Sequence, residues 1–152
     1  MRSKPLKVAL EILPHGRDLD IPVYATEGAA GMDVRAAVED HLVLEASRRA
    51  LVPTGIRIAV PVGYEAQLRA RSGMALTRGL ILPNAPGTID SDYRGEVKVI
   101  VANIGHEAIT IERGMRIAQL IFAPVIRAAW EVVGSLDDTD RGSGGFGHTG
   151  HA

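Results

Sequence analysis

The sequence predicts an all-β domain, a barrel or jelly roll of many short strands. Three observations carry this expectation. Glycines recur at positions 55, 63, 73, 79, 87, 95, 105 and 114, so turn residues follow one another at gaps of six to ten. The runs between them are short and apolar, and some alternate cleanly, as at Val97, Val99 and Val101. Only residues 72–78 read as a helix, opened by a serine cap and stopped by Gly79.

Taken in order, Val8, Leu10 and Ile12 alternate and suggest a first strand. Residues 14–21 are polar and loop-like. In residues 29–36 a glycine and an aspartate precede a short apolar run. Residues 42–44 and 49–52 read as brief strands. Pro53-Thr54-Gly55 turns into a strand at 56–60, and Pro61-Val62-Gly63 into another at 64–70. Residues 80–82 and 97–101 flank the turn-rich segment 84–96, which reads as the head of a β-hairpin. Past residue 133 the character changes. Residues 134–152 hold six glycines, three aspartates, two histidines and Phe146 as the one aromatic. Such a segment buries too little apolar area to fold alone. A folded domain over 1–133 and a mobile tail over 134–152 are therefore expected.

The chain has 152 residues, 46% apolar and 23% charged, which suits one soluble globular domain. A net charge of −1 offers no basic field to gather nucleic acid. There is no cysteine, which excludes disulfides, thiolate metal sites and a cysteine nucleophile. The basic N-terminus is followed by a short apolar run containing Glu11, a poor signal peptide. No segment has the roughly 18 uncharged apolar residues that a spanning helix needs. No membrane partner and a cytoplasmic home are the expectations.

Five stretches can carry chemistry. Asp33 follows Gly31-Met32 and can be a turn carboxylate or an acid facing a hydrated Mg²⁺, an ion that needs only one or two carboxylates. Arg71-Ser72-Gly73 joins a strand to the short helix. Free N–H groups, a hydroxyl and a guanidinium meet there, as they do around phosphate. The segment Asn84-Ala85-Pro86-Gly87-Thr88-Ile89-Asp90-Ser91-Asp92-Tyr93 puts carboxylates and a tyrosine on one short loop. A carboxylate so held can align a water as general base. Asn84 and Lys98 are equidistant from Ser91 and would face each other in a symmetric hairpin. Gln119 sits among apolar neighbours, so burial is expected, either as a satisfied core amide or as a donor to a ligand or a neighbouring subunit. Arg141-Gly142-Ser143-Gly144-Gly145-Phe146-Gly147 can be a plain flexible end or can wrap phosphates and stack on a base. His15, His41 and His106 lie in loop-like stretches without paired metal ligands, and Trp130 reads as a packing residue.

These five stretches, in this order and at this spacing, resemble the five motifs of the trimeric dUTPase family. The resemblance covers residues 30–150. It implies a homotrimer of distorted jelly-roll subunits that hydrolyses dUTP to dUMP and pyrophosphate with Mg²⁺. That reaction keeps uracil out of DNA and supplies dUMP for thymidylate synthesis. By motif match, Asp90 would hold and deprotonate the water that attacks the α-phosphorus. Asn84 and the loop backbone at Thr88 and Ile89 would read uracil, with Lys98 beside them. Tyr93 would lie on the deoxyribose and exclude a 2′-hydroxyl. Arg71, Ser72, Gly73 and Gln119 would bind phosphates. Asp33 would meet the magnesium through water. Arg141 and Phe146 would close over the γ-phosphate and the base, and active sites would be shared between subunits. One departure is Ala70, where many members carry proline. Two other classes are open. A dCTP deaminase has a related fold but lacks this tail, and a non-catalytic nucleotide-binding jelly roll would not need Asp90. A zinc deaminase is excluded by the missing cysteines.

Overall fold

A computed structural model describes residues 5–145. Among them the elements run β1 (Ala9–Ile12), a 3₁₀ turn (Pro14–Gly16), β2 (Met32–Arg35), β3 (His41–Leu44), β4 (Arg49–Pro53), β5 (Ile56–Ala59) and β6 (Tyr64–Arg69). Then follow α1 (Ser72–Arg78), β7 (Leu80–Ile81), β8 (Gly87–Ile89), β9 (Lys98–Asn103), β10 (Ile109–Glu112) and β11 (Arg116–Pro124). The all-β expectation with one short helix therefore holds. The ladders are antiparallel and fall into four sheets rather than one closed barrel: β2-β11-β6-β8, β4-β9-β7, β1-β5 and β3-β10.

One apolar cluster joins the sheets. Alternation decides which residues enter it, because successive strand side chains point to opposite faces. Val99, Val101 and Asn103 of β9 point inward, as do Ile56 and Ile58 of β5 and Ile109 and Ile111 of β10. Asn103 is the exception in chemistry. Its amide donates to the carbonyls of Leu44 (2.9 Å) and Glu107 (2.8 Å), and its oxygen accepts from Gly105 N (2.9 Å). A fully bonded amide can be buried at little cost.

The helix stop is as expected. Gly79 is left-handed (φ 69°), its N–H bonds Ala75 O, and a Cβ there would come within 2.5 Å of Gly105 N. The helix start is not. Arg71 is the N-cap, with no side-chain capping bond, and Ser72 is already the first helical residue. Its exposed hydroxyl is thus left to solvent or a ligand rather than used by the helix.

The hairpin expectation holds in part. Residues 80–81 and 102–103 do pair, Leu80 with Asn103 and Ile81 with Ala102. This register centres between Ser91 and Asp92, not on Ser91, and Asn84 lies beyond the ladder. The intervening β8 leaves the hairpin to pair with β6, Gly87 opposite Leu68 and Ile89 opposite Ala66. The hairpin is therefore opened into a loop whose two legs belong to different sheets, with a pocket between them.

After Pro124 the described residues form no strand or helix. Ile126 and Trp130 are over 90% exposed, and Val132 and Leu136 stand out likewise. Among the described residues Trp130 thus packs on almost nothing, against expectation.

Candidate active site

The opened hairpin walls a pocket of about 270 Å³, with Asn84, Thr88, Asp90, Tyr93, Glu96 and Lys98 among its lining residues. Ile89 sits at its back, buried in β8. Each wall residue is placed by local chemistry. The peptide before Pro86 is cis. Gly87 lets the Asn84 amide lie against the backbone, where a Cβ would stand 3.0 Å from Asn84 Nδ2. Asp90 ends β8 exposed, and its carbonyl accepts from Tyr93 N (3.2 Å). The Tyr93 ring folds back over Gly95, where a Cβ would come within 2.5 Å of Cζ. Its hydroxyl donates to the Glu96 carbonyl (2.9 Å). Tyr93 thus lines the pocket with its polar tip tied down. Asn84 and Lys98 line the same pocket without being ladder partners.

A second cluster forms where β2, β11 and β6 run side by side. Gln119 is opposite Asp33 on one side and Arg69 on the other. Asp33 accepts from Arg71 Nε at Oδ1 (2.9 Å) and from Arg116 Nη1 at Oδ2 (3.0 Å). Arg71 Nη1 also reaches the Arg116 carbonyl (3.4 Å). Gln119 is half-buried rather than buried, and its amide has no described hydrogen-bond partner. Ser72 and Gly73 are exposed beside this cluster at the head of α1. Two guanidiniums, an amide and helix N–H groups make a corner suited to an anion.

Arg141 lies apart from both clusters. It is exposed and bonds only its own turn, Nε to Gly144 O (2.8 Å) among the described residues. Phe146 lies outside the described residues. Within one chain, then, the loop residues meet one another and the phosphate-type residues meet one another. The tail residue meets neither.

Two site features were not singled out from sequence. Arg116 pairs with Asp33, which no local pattern announces because the residues are far apart in the chain. Glu96 is held by its neighbours. Oε1 accepts from Gly55 N (2.9 Å) and faces His15 Nε2 (2.7 Å), and Oε2 is 3.8 Å from Lys98 Nζ. Burial pushes its carboxyl up. The bonds from His15 and Gly55 and the charges of His15 and Lys98 outweigh this and hold it below the ordinary 4.5. His15 is therefore engaged by a carboxylate, a partner that its stretch of sequence, without paired metal ligands, does not announce.

The match to known proteins follows this geometry. The model of the dUTPase family matches residues 17–150, and the chain belongs to that family. Its relatives include the deoxyuridine 5′-triphosphate nucleotidohydrolase of Zymomonas mobilis, 57% identical over 95% of this chain and 99% of that one. The same-named protein of Desulfotalea psychrophila is 56% identical over 87% and 88%. In fold the chain is similar to the dUTPase of Staphylococcus bacteriophage 80alpha with dUpNHpp (TM-score 0.84, 24% identity, 95% and 99% covered). A mutant dUTPase of phage phi11 of S. aureus, described with a structural Mg(II) ion, is similar as well (TM-score 0.77, 20% identity, 87% and 99% covered).

Proposed function

We propose that the chain hydrolyses dUTP to dUMP and pyrophosphate. The observation that carries this is Asp90, exposed and without a charge partner among the described residues, at the mouth of the pocket walled by Asn84, Tyr93 and Lys98. In this reading the pyrimidine enters the pocket against Asn84 and the backbone of Thr88 and Ile89. The deoxyribose lies on Tyr93. Asp90 orients a water and takes its proton as the oxygen bonds the α-phosphorus. The bond to the bridging oxygen breaks and pyrophosphate leaves. Positioning and charge neutralisation dominate such a step. Arg71 supplies positive charge and Ser72, Gly73 and Gln119 supply hydrogen-bond donors to the phosphates, and Arg141 and Phe146 close over the substrate.

Mg²⁺ is the metal of this reading. Among the described residues no group of three His, Asp or Glu side chains forms a protein cage for it. Each Asp33 oxygen gives one lone pair to an arginine and keeps others for water. These residues fit a hydrated ion carried in on the triphosphate, held through water by Asp33. When bound, the ion neutralises phosphate charge and eases departure of pyrophosphate.

Among the described residues the loop cluster, the Asp33 cluster and Arg141 do not meet within one chain, which supports a homotrimer of jelly-roll subunits with shared sites. So does the exposed apolar run Val125, Ile126, Trp130, Val132 and Val133, which a neighbouring subunit would cover. The domain over 1–133 ends, in this reading, where the tail over 134–152 begins to reach a neighbour. The cytoplasm is the compartment proposed. Pyrophosphate release measured across dUTP, UTP, dTTP and dCTP tests the activity. Strong preference for dUTP is the expected result. Ammonia from dCTP would instead identify a deaminase, and no turnover at all a binding protein.

A further inference from the structure

We propose that Glu96 is a positioning residue for substrate selection: it locks the exit of the 84–96 loop so that Tyr93 and Lys98 keep their places in the pocket wall. The proposal rests on the reading of Tyr93 as the residue beneath the sugar.

The loop needs an external lock. Between β8 and β9 no described residue joins a strand, so no ladder holds residues 90–96. Its internal bonds are local: Tyr93 N to Asp90 O, and Arg94 Nη1 to the carbonyls of Ser91 and Tyr93. Local turns fix a shape but not its placement against the body. Glu96 supplies placement from both of its ends. Its main-chain carbonyl is the acceptor for the Tyr93 hydroxyl (2.9 Å). Its carboxylate points the other way, only 13% exposed, onto Gly55 N and His15 Nε2. Wherever this carboxylate is pinned, the acceptor of Tyr93 is pinned too.

The anchor itself does not yield. Gly16 and Gly55 touch so closely that a Cβ on Gly16 would come within 2.6 Å of Gly55 O. The His15 carbonyl accepts from Arg113 Nη2 (2.7 Å), whose Nη1 donates to Val38 O (2.8 Å) and whose Nε donates to Asp18 (3.0 Å). On the far side of Glu96, Thr54 Oγ1 donates to Val97 O, and Val97 N donates to Ile56 O (2.9 Å). A chain of main-chain and charge-assisted bonds thus runs from the 3₁₀ turn through Glu96 to the sugar-facing ring. Lys98 at 3.8 Å adds a solvated and weaker tie.

The test uses the intact chain with Glu96→Ala and Glu96→Gln, and Tyr93→Ala as control. Pyrophosphate release is measured on dUTP and UTP, with melting followed in parallel. Loss of the lock lets the wall drift, and small misplacements cost rate and selectivity steeply. The dUTP-over-UTP preference in kcat/KM should fall about tenfold in Glu96→Ala, through KM for dUTP more than kcat. Glu96→Gln keeps an oxygen for Gly55 N and should lose only about threefold, a rescue by shape. If Glu96→Ala melts lower but keeps the preference, Glu96 is a structural anchor only and the proposal is overturned. Should Glu96→Ala fail to fold, an unchanged preference in Glu96→Gln overturns it equally. If Tyr93→Ala keeps the preference, the sugar-facing role of Tyr93 falls and the proposal falls with it. Loss in Tyr93→Ala beside an intact Glu96→Ala leaves the site reading standing and removes Glu96 alone.

Discussion

Asp90, Tyr93 and Gly95 show how much chemistry one loop can set residue by residue. Asp90→Asn keeps the shape and removes the proposed base. Its kcat should fall about 100-fold or more while dUTP binding persists, which steady-state kinetics and calorimetric titration separate. Near-normal kcat would move the base elsewhere. Gly95 is required not by its backbone angle but by the ring above it. In Gly95→Ala the new methyl would meet the Tyr93 ring. The ring should swing off, and the dUTP-over-UTP preference should narrow. A parent-like preference in this variant would mean that Tyr93 does not gate the sugar. Glu96 adds a pH effect. Its folded carboxyl ionises below the ordinary 4.5, so its contribution to stability is complete above that value and is lost as pH falls through the lower folded one. The melting temperature of the parent should therefore drop more steeply below about pH 4.5 than that of Glu96→Gln. Parallel melting curves would remove this role.

At the scale of elements, the helix stop is the clearest case of a sequence signal with a tertiary partner. Gly79 both takes the left-handed angle and lets Gly105 approach. Gly79→Ala should cost about 2 kcal/mol or more in urea unfolding, since a left-handed non-glycine residue alone costs about 1–3 kcal/mol. A loss under about 0.5 kcal/mol would show that the turn relaxes. The short strands were legible because alternation and glycine spacing are local, as in β5 and β9. The opened hairpin was not. Nothing in residues 80–103 says that β8 should leave its neighbour for β6, since pairing is chosen by which sheet best covers Ile89 and Gly87. The serine cap failed for a similar reason. Arg71 leaves β6 in extended geometry and Asp33 draws its side chain away, so the helix begins one residue earlier than a cap at Ser72 would allow.

For the whole molecule, the exposed run after β11 and the isolation of Arg141 bear on assembly. Deleting residues 134–152 should leave the domain folded, as circular dichroism would check, while turnover collapses because Arg141 and Phe146 are gone and water reaches the phosphates. A truncation that unfolds, or one that stays fully active, contradicts this. Mixing that truncation with Asp90→Asn under subunit exchange tests sharing. If a site takes its loop from one chain and its tail from another, about a quarter of sites should recover in randomly mixed closed trimers. Well-exchanged trimers without recovery would exclude sharing between those two parts.

By itself the sequence determined the all-β class, the single helix and its stop, and the stretches that hold Asp33, Arg71, Asn84, Asp90, Tyr93 and Gln119. Those are matters of turn chemistry, period and local motif, and they need no knowledge of distant neighbours. Only the tertiary structure decided what each stretch touches. Asp33 meets Arg71 and Arg116 because β2 and β6 both flank β11. Glu96 meets Gly55 and His15 because the two glycine turns close on each other. Such contacts join residues about 40 to 80 positions apart. They arise from the packing of whole sheets on one core, a global property that no short window of sequence contains.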